Sequence, residues 1–470
     1  MEIALDCPQC GGLVNLDEDD FVFRCEYCDT VLKPTGRNDV QSFFFPPKGT
    51  LAQVGRALLK AYAKKGKRVR VRDPRLVYAP YWRVRGLLFE WVFGRKVERG
   101  LYGATSYDLF KKLRAVAYHR TFPCFKASRW PMISLGLRAQ VMPLHPYSEE
   151  KMGREALILP AEIPLAEAVK IALQNPGPSL DGSTERVEFS RANLVGENYS
   201  LIYFPFYVYM VQGNRENTVV VDAVSHKVVR GALPKTSPEE GADRRIPVKP
   251  LSFIPYRCPN CGWDLPFRPH TRIHLCRTCG RAWQEIGGEY REVAYSVSLK
   301  GVGEKIDAWT FLPFWRLTVR IKSPERTYRT LDDFYTLFPL PKVQDREELR
   351  KRAIRFYVPA FRIRNPAAVD KFAARMTRQQ PLFDEACPGE FREIRAADVW
   401  LPLGEAMEMA QQILYSMTPS RARKTIETVR GAQLDLREGL LVWLPFKDKG
   451  LFLREAHTDL GIQKNTLELD

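Results

Sequence analysis

The sequence predicts an α+β fold built as a tandem duplication, and three observations lead to this prediction. Two pairs of Cys-x-x-Cys motifs recur, the first starting at Cys7 and the second at Cys258. Four proline-centred signatures recur in the same order in both halves of the chain. In each half, apolar residues alternate as in strands in some segments and follow helical spacing in others. We therefore expect each half to be a four-cysteine module followed by a β-rich module with one or two helices.

Eight of the ten cysteines form two equivalent groups of four. In each group, 14 residues separate two Cys-x-x-Cys turns. Two such turns supply the four thiolates that a zinc ion takes in a structural zinc ribbon, and four cysteines leave no open position for hydrolytic chemistry. The sequence therefore predicts two structural Zn²⁺ ions per chain. The predicted ligands are Cys7, Cys10, Cys25 and Cys28 in the first group and Cys258, Cys261, Cys276 and Cys279 in the second.

Two other kinds of site use similar motifs. A thioredoxin-like dithiol needs one Cys-x-x-Cys motif in a βα context, which the paired motifs disfavour. A rubredoxin-like iron site uses similar turns, so the choice between zinc and iron stays open at this point. We expect His270 and His274, which precede Cys276, to be surface residues, because four cysteines already complete the ligand set.

The proline-centred signatures extend the repeat beyond the cysteines. Each occurs once in the first half and once in the second, and their common order predicts duplication. The matched pairs are 79–83 with 312–316, 122–125 with 358–361, Leu159-Pro160 with Leu401-Pro402, and 204–206 with 444–446.

The repeat sets the predicted domain organisation. A zinc ribbon and an α+β module make up each half, and a segment rich in proline, glycine and charge joins the halves. The predicted boundaries are 1–36 for ribbon 1, 37–235 for the first module, 236–252 for the linker, 253–288 for ribbon 2 and 289–470 for the second module.

Local patterns place the elements within each half. Residues 78–86 and 309–320 alternate apolar and polar side chains, which predicts half-buried strands. Residues 163–173 and 403–414 have helical apolar spacing. A helix after the first ribbon is predicted to begin at Thr50, a capping residue, and to end at Gly66. Each half is expected to close with a hairpin, which in the first half consists of 201–211 and 217–229.

Positive charge is concentrated in the first half. The chain carries a formal charge of +17, and residues 56–114 hold 17 Lys or Arg against four acids. This stretch also contains many aromatic residues, a combination that suits nucleic acid or an anionic membrane surface. The predicted anion-binding or partner-binding residues are Lys60, Lys64, Lys65, Lys67, Arg68, Arg70, Arg72, Arg83 and Arg85.

The sequence carries none of the common catalytic motifs, which favours a non-enzymatic protein. The sequence has no P-loop, no Gly-x-Ser-x-Gly elbow and no His-Glu-x-x-His motif. No stretch approaches the about 20 apolar residues of a membrane span, and the first residues lack a signal-peptide pattern. We therefore expect a cytoplasmic protein, and peripheral contact with the inner face of the membrane stays open at this point.

The run from Cys7-Pro8-Gln9-Cys10 to Cys25-Glu26-Tyr27-Cys28 resembles the N-terminal ribbon of bacterial TFIIB-type zinc-ribbon-containing proteins. The resemblance covers about 25 residues in each half, and the β-rich remainder is similar only loosely. It implies a zinc ribbon ahead of a β-rich region. Some relatives of this kind work with membrane-stress proteins and carry membrane segments, which this sequence lacks.

Two functions follow from these observations. The first is a zinc-binding scaffold or adaptor that docks other proteins in a complex, with peripheral contact to an anionic membrane surface. The alternative is a nucleic-acid-binding protein that uses the basic, aromatic-rich region 56–114. No small-molecule substrate is evident from the sequence.

Overall fold

The computed structural model describes residues 2–17, 20–35, 40–99, 105–126, 130–174, 185–213, 216–231, 233, 252–303, 306–339, 345–384, 394–420 and 422–468. The fold is α+β with mostly strands, which make up 44% of the residues, whereas helices make up 22%. This confirms the predicted fold class, while the tandem duplication stays a prediction. None of the described helices is long and apolar enough to cross a membrane.

Strands and helices alternate irregularly along the first half. Its strands are β1 (Glu2–Asp6), β2 (Leu13–Asp17), β3 (Phe23–Arg24), β4 (Val31–Thr35), β5 (Gln41–Phe44), β6 (Arg70–Arg99), β7 (Thr105–Pro123), β8 (His145–Pro146), β9 (Leu157–Ile158), β10 (Glu185–Gln212), β11 (Glu216–Asp222), β12 (Val228–Val229) and β13 (Ser252–Pro255). Its helices are α1 (Leu51–Lys64), α2 (Arg138–Val141), α3 (Glu149–Met152) and α4 (Leu165–Leu173).

The second half has more helix. Its strands are β14 (Ile273–Leu275), β15 (Ala282–Ile286), β16 (Glu289–Val293), β17 (Tyr295–Val297), β18 (Trp309–Lys322), β19 (Thr327–Tyr328), β20 (Ile354–Pro359), β21 (Arg395–Ala396), β22 (Gln433–Lys449), β23 (Phe452–Glu455) and β24 (Gly461–Gln463). Its helices are α5 (Leu331–Leu337), α6 (Arg346–Lys351), α7 (Pro366–Gln379), α8 (Leu403–Met417) and α9 (Arg423–Arg430).

The chain divides into two compact units, each made of several segments. Three long strands, β6, β7 and β10, contribute residues to both units. The predicted domain boundaries stay a prediction, and the predicted linker 236–252 lies outside the described residues except for Ser252. Unit 1 comprises Met1–Arg85, Tyr118–Asn175 and Glu197–Pro255, and unit 2 comprises Gly86–Ala117, Pro176–Gly196 and Tyr256–Asp470.

Unit 1 is built around β10. This strand pairs in parallel with β5 and antiparallel with β11. Buried side chains of β5, β6 and β10 form its main core together with the first ribbon. Helix α1 packs its apolar stripe, including Val54 and Leu58, against side chains of β10 and β11. Thr50 caps this helix by accepting a hydrogen bond from the N–H of Gln53, which confirms the predicted start.

Unit 2 is built around β18, which pairs antiparallel with β22 along its whole length. Alternate side chains of β18 enter two different cores. Trp315 packs in one core with residues of α8, and Phe314 packs in the other with Phe372 of α7. The expected half-buried strand is therefore wrong for residues 311–317, where packed side chains cover both faces, whereas burial alternates over 317–321 as expected.

A buried tryptophan occupies the same place in each half. Trp82 Nε1 donates a hydrogen bond to the carbonyl oxygen of Ile163, and Trp315 Nε1 donates one to the carbonyl oxygen of Leu401, both at 2.8 Å. Both indoles are at most 2% exposed. A buried indole N–H needs an acceptor, so each tryptophan ties a strand to the residue that precedes a helix.

The prolines in the repeated strands also make matched contacts. Proline lacks an N–H, but its carbonyl oxygen can still accept a hydrogen bond. In each half, the carbonyl oxygen of the earlier proline accepts a hydrogen bond from the residue that follows another strand. The carbonyl oxygen of the later proline accepts one from the residue that follows the second strand of the closing hairpin. These bonds are Cys124 N–H to Pro80 O and Ala360 N–H to Pro313 O, both 2.9 Å, and Ala223 N–H to Pro205 O at 3.1 Å and Ala456 N–H to Pro445 O at 3.0 Å.

One predicted pair of signatures was wrong. Leu401-Pro402 lies directly ahead of α8, whereas in the first half Ile163-Pro164, and not Leu159-Pro160, lies directly ahead of a helix, α4. The tryptophan hydrogen bonds identify the same two residues. The N–H of Leu159 instead donates to the carbonyl oxygen of Tyr78, and the N–H of Ala397 makes a similar bond to the carbonyl oxygen of Phe311, both at 2.9 Å. A Leu-Pro pair is too short a pattern to fix the register by itself.

Candidate metal centres

The first cysteine group lies on two tight turns. The N–H of Gly11 donates to the carbonyl oxygen of Cys7, and the N–H of Cys7 donates to that of Gly12, both at 2.8 Å. Gly11 has a φ of 72°, which a glycine adopts without strain. In the second turn, Asp29 takes the position of Gly11 with a φ of 59°, and its N–H donates to Cys25. The turns hold the backbone so that all four thiols face one point.

The second group repeats these turns. The N–H of Gly262 donates to the carbonyl oxygen of Cys258 at 2.9 Å, and the N–H of Gly280 donates to that of Cys276 at 2.8 Å. Both glycines have positive φ angles, 74° and 71°. All four turns therefore place Gly or Asp, residues that tolerate positive φ, directly after the second cysteine.

The sulfur atoms in each group have the separations of a tetrahedral metal site. In the first group, the Sγ atoms of Cys7 and Cys28 are 3.8 Å apart, and in the second group those of Cys258 and Cys279 are 3.6 Å apart. All ligand atoms within a group lie within 4.8 Å of one another. Zn–S bonds of about 2.3 Å in a tetrahedron give S–S edges of about 3.8 Å. A disulfide would need about 2.05 Å.

The thiols of each group ionise unequally. Hydrogen bonds with the hydroxyl and backbone N–H of Thr30 lower the pKa of Cys28 to about 6. At Cys279, burial opposes ionisation, but hydrogen bonds from the N–H of Arg281 and from neighbouring side chains lower its pKa to about 7. The N–H of Gly12 favours the Cys10 thiolate, yet desolvation and the other cysteines raise the pKa of Cys10 to about 12.

A bound cation would favour the thiolate form of the cysteines in each group. Thiolates that lie this close repel one another, and a positive charge between them would compensate that repulsion. Two tetra-cysteine groups thus lie within ligand distance and can hold two metal ions. They are the only metal-ligand groups that the described residues form with Cys, His, Asp or Glu. Sequence reasoning missed the role of Thr30, although a hydroxyl two residues after Cys28 was visible.

The histidines of the second ribbon are not ligands. His274 is 1% exposed, so its prediction as a surface residue was wrong. Its Nδ1 lies 2.9 Å from the hydroxyl of Tyr256, which also donates to the carbonyl oxygen of Pro266. His274 therefore belongs to the packing between the two turns. His270 is half-buried.

Seven of the nine predicted anion-binding residues are exposed. They follow the polar side of α1 and the start of β6, and they are accompanied by exposed Arg56 and Arg75. Between residues 56 and 75, nine basic residues face one acid, Asp73. We call this set the basic surface. Its members among the predicted residues are Lys60, Lys64, Lys65, Lys67, Arg68, Arg70 and Arg72.

The other two predicted residues lie elsewhere. Arg83 is 2% exposed, and its Nε donates a hydrogen bond to Nε2 of His119 at 2.8 Å. Arg85 is half-buried. The structure therefore does not bring Arg83 and Arg85 onto the basic surface. His119 lies 36 residues further along the chain, and nothing in the local sequence around Arg83 identifies it as a partner.

Most of the aromatic side chains that the structure describes in region 56–114 are buried. Tyr62 and Phe110 are half-buried. The rings in the core cannot stack on nucleic-acid bases. The basic surface consequently presents charge without a platform of exposed rings. The buried aromatic residues are Tyr78, Tyr81, Trp82, Phe89, Trp91 and Phe93.

Comparisons of the chain with protein families, with curated proteins and with solved structures found no match.

Proposed function

We propose that the protein is a non-enzymatic zinc-binding scaffold that docks protein partners at an anionic membrane surface. The observation that carries this proposal is the closure of both metal sites. Four cysteine ligands fill the coordination shell of zinc, so an ion there stabilises the fold and leaves no position for a substrate or a reactive water. The resemblance of the ribbons to bacterial TFIIB-type zinc-ribbon-containing proteins is part of the same proposal.

Zinc is proposed over iron because a purely structural site needs no change of oxidation state. Each ion would bridge two turns that no disulfide joins. The ligands would be Cys7, Cys10, Cys25 and Cys28 in one site and Cys258, Cys261, Cys276 and Cys279 in the other.

The tandem duplication is also a proposal. It is supported by the matched tryptophan and proline hydrogen bonds and by the matched turns around the cysteines. Parallel pairing supports it too, since β5 pairs with β10 in the first half as β17 pairs with β22 in the second. A scaffold made of two similar modules would offer two similar frameworks with different surfaces.

The basic surface is the proposed contact with the membrane. Each basic residue near an anionic surface contributes about 1 kcal/mol of attraction. A cluster of nine against one acid is therefore sufficient for reversible binding without an inserted segment. Nucleic acid shares the phosphate chemistry, but the burial of the neighbouring aromatic rings removes the stacking that single-stranded recognition uses.

Binding to vesicles tests the membrane contact. The wild-type chain should sediment with phosphatidylserine-containing vesicles but not with neutral phosphatidylcholine vesicles. The triple variant Lys64→Glu, Lys65→Glu, Arg68→Glu should bind at least about 100-fold more weakly, since each reversal removes at least about 1 kcal/mol. The matched control is Lys351→Glu, Arg375→Glu, Lys424→Glu, which makes the same charge change at exposed positions of the second half.

The control distinguishes a localised contact from an effect of net charge. Equal losses in the two triple variants would refute the basic surface as the contact. Stronger binding to DNA or RNA than to anionic vesicles at equal salt would favour the nucleic-acid alternative. Co-purification of the protein with its partners from the native host then tests the scaffold role itself.

A further inference from the structure

Unit 2 contains a groove that the proposed function does not use. Its volume is about 710 Å³, within the range that holds a small organic ligand. The walls come from four separate segments, 267–270, 361–364, 395–400 and 464–468, together with single residues of β18 and the β22–β23 hairpin. These segments are far apart in sequence, so no local motif could have predicted the groove.

The groove is positively charged. Three carboxylates line it, and each is paired with a cation that also lines it. Arg268 lies 2.5 Å from Asp398, Arg362 lies 3.2 Å from Glu468, and Lys464 is paired with Asp448. Two further arginines remain, Arg364 and Arg395. Among the described residues, neither guanidinium has an ion-pair or hydrogen-bond partner, and both side chains are exposed.

Aromatic side chains form another part of the wall. Trp400 is half-buried, and Phe267 is 42% exposed, so both present ring surface to the groove. A ligand with a flat ring can stack on such surfaces. Guanidinium groups bind phosphate through paired N–H donors, and a phosphate monoester carries a charge of about −1.5 to −2 near neutral pH, which two unpaired arginines match.

The repeated framework supplies an internal control for these residues. Arg395 and Ala396 pair in parallel with Thr310 and Phe311, just as Leu157 and Ile158 pair with Val77 and Tyr78 in the first half. In this register, Arg395 corresponds to Leu157, Asp398 to Pro160 and Trp400 to Glu162. The framework forms in the first half without an arginine or a tryptophan at these positions. Folding therefore does not explain why the second half has them.

We propose that this groove binds an organic phosphate whose other end is a flat ring, with a nucleoside monophosphate as the simplest example. The phosphate would lie between Arg364 and Arg395, and the ring would lie against Trp400. This inference is independent of the zinc sites and of the basic surface, because it concerns a small-molecule ligand and other residues.

Adenosine 5′-monophosphate is a suitable probe, with inorganic phosphate and adenosine as its separate parts. Isothermal titration calorimetry of the zinc-loaded full chain should show saturable binding of the monophosphate and much weaker binding of either part. Loss of one charge-assisted phosphate contact weakens binding by about 10-fold to 100-fold. The affinity of the double variant Arg364→Gln, Arg395→Gln for the monophosphate should therefore be at least about 100-fold lower.

The control variant is Arg375→Gln, which changes an exposed arginine of α7 outside the groove and should leave the affinity unchanged. The variant Trp400→Leu should weaken binding of the monophosphate but keep the weak binding of inorganic phosphate. Zinc content and thermal unfolding of each variant show that it is folded.

Three results would overturn the proposal. One is the absence of monophosphate binding to the wild-type chain at millimolar concentration. Another is equal affinity of the wild-type chain and the Arg364→Gln, Arg395→Gln variant. The third is that inorganic phosphate binds as tightly as the monophosphate, which would show that the ring contributes nothing to binding.

Discussion

The two ribbons have the same turns but are attached differently to their surroundings. In ribbon 2, Arg272 pairs with Glu405 at 2.5 Å, and both side chains are only 16% and 21% exposed. In ribbon 1, the ion pair of Lys151 with Asp6 is 2.9 Å long and more than half exposed at both ends. The comparison teaches that the cysteine turns are determined locally, whereas the attachment of each ribbon depends on residues far away in sequence.

Backbone contacts strengthen the same contrast. The N–H of Arg272 donates to the carbonyl oxygen of Val399 at 2.7 Å, and the hydroxyl of Thr271 contacts the same residue. Ribbon 1 is instead extended by β13, which pairs antiparallel with β4. We expect ribbon 2 to be coupled to the helix α8 that follows Val399, and ribbon 1 to be coupled through its buried side chains to the core around β5, β6 and β10.

The largest effect should come from removing a ligand. Cys25→Ser and Cys276→Ser should each lose one of two metal ions, because a structural site with three thiolates binds zinc poorly. In zinc-finger peptides the metal supplies about 10–16 kcal/mol of apparent folding free energy. Hydrogen exchange should report opening of 2–35 together with β5 and 77–81 of β6 for Cys25→Ser, and opening of ribbon 2 together with 395–417 for Cys276→Ser. Identical, purely local exchange in both variants would contradict the difference in attachment.

The next effect concerns what the two halves share. Trp82→Phe and Trp315→Phe each remove the buried indole N–H donor and shorten a buried ring, which should reduce the free energy of unfolding by about 2–3 kcal/mol. The carbonyl oxygen of Ile163 keeps a weak contact with the Cys124 thiol at 3.5 Å. Denaturant unfolding measures both. Similar decreases in the free energy of unfolding would support the proposed duplication, and a decrease in only one of the two variants would contradict it.

A smaller effect should separate the two ribbon attachments. Removing the partly buried Arg272–Glu405 pair by Glu405→Gln should reduce stability by about 1–2 kcal/mol. The matched change at the exposed pair, Asp6→Asn, should cost less than about 1 kcal/mol. Double-mutant cycles with Arg272→Gln and Lys151→Gln isolate each pair. A coupling free energy for Lys151–Asp6 as large as that for Arg272–Glu405 would show that burial does not distinguish them.

The smallest effect lies in the turns themselves. Asp29 and Gly280 occupy equivalent positions with φ of 59° and 71°. Gly280→Ala should destabilise ribbon 2 by about 1 kcal/mol, because a Cβ disfavours this conformation. Asp29→Gly should change the stability of ribbon 1 by less than about 0.5 kcal/mol, since aspartate already tolerates positive φ and the glycine is more flexible when unfolded. Thermal unfolding of the zinc-loaded variants measures both changes.

Local features of the fold were predictable because their causes are local. Cysteine spacing identified both groups, and Thr50 identified the start of α1. The hydrogen-bond partner of Arg83 and the burial of His274 could not be predicted from the sequence. Their partners, His119 and Tyr256, are brought to them by tertiary packing. Leu159-Pro160 was matched wrongly because proline recurs at Ile163-Pro164, four residues later. The groove around Arg364 and Arg395 needs four separate segments, so only the folded chain reveals it.

The metal content of the wild-type chain tests the central claim most directly. Protein purified without chelator should contain two zinc ions per chain, and X-ray absorption at the zinc edge should show four sulfur neighbours at about 2.3 Å. A stoichiometry near zero, iron in place of zinc, or nitrogen and oxygen neighbours at the metal would contradict two closed structural zinc sites.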